Sequence, residues 1–115
     1  MVKRANDIEV TSKEHIYGGA GALVSHILVD EKTMYGKNRL FNHCRLEEGA
    51  EVGHHVHTGD GEVYYILSGE GEFDDNGTMT TVHAGDVCWT PDGEGHSLKA
   101  VGGPLEFIAL VVYSK

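Results

Sequence analysis

Sixteen glycines cut this 115-residue chain into short runs, and that spacing constrains its fold more than any other feature. No window keeps apolar residues at the 3.6-residue helical period for long. The pattern suits many short strands joined by tight turns. Strands are expected over 22–29, 39–46, 52–57, 62–68, 72–75, 78–83, 86–90, 96–101 and 105–113, with a helical turn or loop over 30–37. Asn76-Gly77 is a type I′ hairpin signal between two of them. Pro91 and Pro104 fall outside the strands, where a missing N–H does no harm. The chain reads as an all-β sandwich or barrel with antiparallel hairpins.

Such a length supports one hydrophobic core and not two. Residues 1–22 carry little pattern and are expected to be an N-terminal arm or edge strand, with 23–115 forming the β-domain. A net charge of -9 argues against nucleic acid or an anionic membrane surface as partner. The longest apolar run, 107–113, is far too short to cross a bilayer, and the basic N-terminus has no apolar stretch behind it. Cys44 and Cys88 form no metal-binding spacing and read as buried thiols, which points to the cytoplasm. Residues 63–67 and 107–113 are apolar at both strand parities. A second subunit covering one face explains that, so a homodimer is expected; a tight two-sheet core is the alternative.

Within Gly49 to Glu62 lie an HxH pair, His55 and His57, and a glutamate. Imidazole and carboxylate are ligands for divalent transition metals. Strand alternation points His55 and His57 the same way, and the polar turn 58–61 brings Glu62 back beside them. His54 has the opposite parity and belongs at the rim. Tyr64 and Ile66 share the parity of Glu62 and should face inward. Leu98 and Ala100 do the same for a more distant histidine, His96. On the strand 39–46, Leu40, Asn42, Cys44 and Leu46 make the more apolar face. Arg39, Phe41, His43 and Arg45 are therefore placed outside, although His43 is within possible reach of the pocket. Trp89 and Phe73 read as core.

The spacing Gly49-x5-His55-x-His57-x4-Glu62-x6-Gly69, with Gly85-x5-Pro91-x-Gly93-x2-His96, resembles the two motifs of the cupin superfamily. The second motif departs at its end, where Ala100 replaces the usual asparagine, which is not a ligand. The resemblance implies a cupin, or double-stranded β-helix (jelly-roll) barrel. It implies a divalent metal (Fe, Mn, Ni, Co or Zn) on His55, His57, Glu62 and His96. Four such ligands leave up to two positions open on an octahedral ion. The expected function is that of a small metal-dependent enzyme acting on a small polar or carboxylate-bearing molecule. Dioxygenase, decarboxylase or sugar-isomerase chemistry is implied, with Tyr64 as the candidate catalytic residue. The alternative is a non-catalytic metal- or ligand-binding module serving as sensor or accessory domain.

Overall fold

The glycine spacing becomes eight strands in a computed structural model that describes all 115 residues. They are β1 Glu9–Glu14, β2 Ala22–Val29, β3 Asn38–Leu46, β4 Glu51–Val56, β5 Asp60–Asp75, β6 Thr78–His83, β7 Val87–Thr90 and β8 Gly95–Tyr113. The protein is all-β, with short 3-10 turns at Ala5–Asp7 and Ile16–Gly18. No helix is long and apolar enough to cross a membrane.

β5 and β8 correct the expectation of separate strands at 62–68 and 72–75, and at 96–101 and 105–113. Each runs on through its glycines, which bend the strand without ending it. Register shifts fall at Ile66/Ser68 and Ser68/Glu70. Gly69 has φ +90°, and a Cβ there would lie 2.2 Å from the Pro104 carbonyl oxygen, so only glycine lets the two bends cross. Because both strands bend, each serves two layers. One layer runs β1-β2-β3-β8-β5-β7 and uses the C-terminal half of β8 and the N-terminal half of β5. The other runs β4-β8-β5-β6 and uses their remaining halves. All pairings are antiparallel, and the two layers form a jelly roll. At the β5–β6 hairpin, Asn76 (φ +48°) and Gly77 (φ +101°) take the left-handed pair that a type I′ turn needs.

The core lies between the layers. Leu46, Ile66, Leu98, Leu105 and Phe107 are fully buried, and Phe73 is buried with them. Trp89 is not core: its parity on β7 turns it outward, and it is half exposed. At the N-terminus, β1 pairs with β2 at the edge of the larger layer. The following Ile16–Gly18 turn lies flat on β4. A Cβ at Gly19 would come 2.1 Å from the Glu51 carbonyl oxygen, and one at Gly53 2.1 Å from that of Tyr17.

Candidate metal centre

The structure brings together His55, His57, Glu62 and His96, four residues from three segments, with ligand atoms all within 4.8 Å of one another. β4 delivers His55 through a register shift between Val52 and His55, which turns both residues inward despite their odd spacing. His57 follows β4 and is clamped to the Pro91–Glu94 turn. Its N–H donates to the Glu94 carbonyl at 3.0 Å, and its carbonyl accepts from the Gly93 N–H at 2.8 Å. That turn also starts β8, where His96 stands opposite His55. Glu62 arrives on β5 opposite Val111. His54 is exposed.

Each imidazole is held by its Nδ1. That of His55 donates to the Gly53 carbonyl at 2.9 Å, and that of His57 to the Asp60 carboxylate at 2.6 Å. Nδ1 of His96 meets the Thr90 hydroxyl at 2.7 Å. All three Nε2 atoms therefore turn to the centre. His96 Nε2 lies 3.1 Å from Nε2 of both His55 and His57, and 3.1 Å from Glu62 Oε1. His57 Nε2 is 3.2 Å from the same oxygen. Stacking steadies the rings further: Tyr17 lies on His55 with centroids 3.8 Å apart, and Tyr64 on His96 at 5.0 Å.

Convergent lone pairs and a carboxylate at this spacing demand positive charge. Without an ion, protons must supply it. The hydrogen bond to Glu62 holds the His57 pKa above its ordinary value, whereas burial lowers that of His55. Burial would raise Glu62, but hydrogen bonds from His57 and His96 prevail and bring it down to about 2. A divalent cation meets all four atoms at once, so the donor set fits a transition metal. Acceptors on the far nitrogens are what orient and strengthen imidazole ligands.

Beside the four residues opens a cavity of about 240 Å³, with His55, Glu62 and Tyr64 in its wall. Leu40, Asn42 and Cys44 line it from β3, as their parity requires. Arg39 lines it too, which overturns its placement outside. A register shift between Asn38 and Leu40 puts one extra residue into β3, so two neighbours reach the same side. Arg39 Nε donates to Asp60 at 3.1 Å, completing a chain from guanidinium through carboxylate to His57. Arg45 does face outward, paired with Glu47 and Glu106. His43 does not reach the cavity; it bonds Glu106 at 2.9 Å on the outer face. Burial lifts the Cys44 thiol to about 12 and that of Cys88 to about 11, so both stay protonated. Asp60, Thr90 and Tyr17 carry no expectation from the sequence. Only Asp60 carried a signal, the shared parity with Glu62 on one strand.

A jelly roll with three inward histidines and a glutamate at one end of its cavity defines a class. Residues 42–113 match the family model described as the cupin domain, and the chain belongs to the cupin family. Over 113 residues it is 42% identical to a Thermotoga maritima protein named oxalate-binding protein, covering 97% of this chain and 93% of that one. The crystal structure of a predicted oxalate decarboxylase from Thermotoga maritima superposes with a TM-score of 0.92 at 41% identity, covering 98% of this chain and 99% of that one. A polyketide cyclase from Streptomyces resistomycificus shares the fold alone, with a TM-score of 0.74 at 18% identity over all of this chain and 87% of that one.

Proposed function

We propose that this cupin binds a divalent transition metal through His55, His57, Glu62 and His96 and uses it to capture a small carboxylate. The observation that carries the reading is the convergence of three oriented Nε2 atoms and one carboxylate oxygen at the wall of a cavity. The similar Thermotoga sequence named oxalate-binding protein and the similar Thermotoga structure described as a predicted oxalate decarboxylase both name oxalate, which supports a carboxylate ligand. A bound metal would supply Lewis-acid polarisation of that ligand through its open positions. The residues around it set the rest. Leu40, Val52, Phe107 and Ala109 give the cavity an apolar wall. Tyr64 is the candidate catalytic group. Burial, and then the neighbouring Glu62 charge, hold its phenol well above its usual pKa, so it stays protonated. Decarboxylation needs such a donor at the carbon that loses carbon dioxide. Dioxygenase and sugar-isomerase chemistry have less support, since the names of the Thermotoga sequence and structure point to a carboxylate. The relative's name also favours a second reading, capture without turnover.

Elemental analysis of purified protein tests the metal. Wild type should hold close to one ion per chain, and His57→Ala should hold almost none. Histidine ligands bind when neutral, so occupancy should also fall as pH drops below about 6.5. Equal metal in both proteins, or occupancy flat down to about pH 4, would sink the assigned site. Tyr64→Phe separates the two functional readings: lost turnover with retained carboxylate binding marks a catalytic phenol.

A further inference from the structure

Resting on that metal-held carboxylate, we infer that the preferred ligand is longer than oxalate and carries a second anionic end, which Arg39 binds. The first reason is the state of the guanidinium. Its Nε is committed to Asp60, while its two terminal nitrogens make no hydrogen bond within the chain. Asp60 thus fixes the plane of a fork whose two outer donors are unused at the mouth of the cavity, with the side chain 39% exposed. Paired donors of this kind match a carboxylate.

The second reason is distance. Leu40, Val111 and Glu62 stand in one row across β3, β8 and β5. Arg39 therefore starts about two strand spacings, roughly 9.5 Å, from the backbone of a metal ligand. Oxalate chelating the ion through both carboxylates would leave the Arg39 fork without a partner. Lys13 also lines the cavity, but it belongs to the row of Leu23, Leu46 and Leu105. That row lies about 20 Å from the Glu62 row along β8, so Arg39 is the nearer cation.

The third reason is the cavity floor. In the next row Asn42, Ala109 and Tyr64 are neighbours, and the small Ala109 leaves a trough between two polar walls. The buried Asn42 Oδ1 has no hydrogen-bond partner in the protein, although a buried polar atom normally has one. A ligand donor or a water carried with the ligand would satisfy it. The cavity is equivalent to roughly eight waters at about 30 Å³ each, more than oxalate fills.

The test is a binding series on metal-loaded protein by calorimetry, using oxalate, malonate, succinate, glutarate and valerate. Valerate matches glutarate in length but lacks the second carboxylate. Affinity should rise along the dicarboxylates, and the best of them should bind at least about ten-fold more tightly than oxalate. Glutarate should exceed valerate by about ten-fold or more, the worth of a charge-assisted hydrogen bond. Arg39→Gln, loaded to the same metal content as wild type, should lose that second margin. Ala109→Val, which narrows the trough, should weaken glutarate and leave oxalate unaffected. Oxalate as the tightest ligand, or a glutarate margin that survives Arg39→Gln, would each overturn the inference. Failure of the metal reading looks different: wild-type protein that holds no ion, or binding that persists in His57→Ala.

Discussion

The two faces of the larger layer are almost equally apolar, yet they have opposite fates. On β8, Leu105, Phe107, Ala109 and Val111 are buried, while Ile108, Leu110 and Val112 between them are only half-buried. On β5 and β7 the contrast is sharper, because Tyr65, Leu67, Val87 and Trp89 stand exposed. The inner face meets the second layer and holds the site. The outer face carries the stacked pair His26 and His43, with Glu106 bonded to His43 and Arg45. Apolar content alone therefore does not mark a core; what covers the face does. The largest effect should come from the inner face. Phe107→Ala should cost about 3–5 kcal/mol in chemical denaturation, since a fully buried aromatic leaves a cavity. A cost under about 1 kcal/mol would erase the distinction between the faces.

A subtler break concerns the polar residues of the inner side. Thr90 is 1% exposed and its hydroxyl meets Nδ1 of His96. Thr90→Val preserves shape and removes that partner. Metal affinity should fall about 10- to 100-fold, the usual worth of a group that orients a ligand. Competition with a chelator of known affinity measures it. Unchanged affinity would show that packing against Tyr64 alone orients His96.

The convergence of His55, His57, Glu62 and His96 was legible in sequence because motif spacing and strand parity are local properties. Even the register shift at Val52/His55 left His55 and His57 on one side, where simple alternation placed them. Arg39 was illegible for the same physical reason that made Asn42 and Cys44 legible. One extra residue in β3 breaks the period of two, and nothing in the composition of 38–40 announces it. Gly69 and Gly102-Gly103 read as strand ends but act as bends, since glycine permits either and only the partner strand decides. Tyr17 was hidden more deeply. Its place on His55 depends on the mutual approach of Gly19 and Gly53, far apart in sequence. Trp89 reads as core from the sequence, whereas β7 pairing with β5 sets its parity and turns it to the outer face.

The smallest effect on the fold should come from the outer face, and there the expected readout is association. A second copy of this chain would cover Ile108, Leu110 and Tyr65, the residues that made the strands read as apolar on both sides. Ile108 stands beside His43 on β3 and Tyr65 on β5, at the middle of the face. Ile108→Lys places a charge there that a single protomer tolerates, because the position is half-open to water. In a dimer built on this face the same charge would be buried without a partner, a cost of several kcal/mol. Sedimentation at micromolar concentration should give twice the chain mass for wild type and one chain mass for Ile108→Lys, with the β-sheet circular dichroism preserved. A wild-type mass of one chain would leave the outer face an apolar surface without a homodimeric role. A dimer that survives Ile108→Lys would move the interface elsewhere, with the edge strand β1 and the exposed Val10 the next place to look.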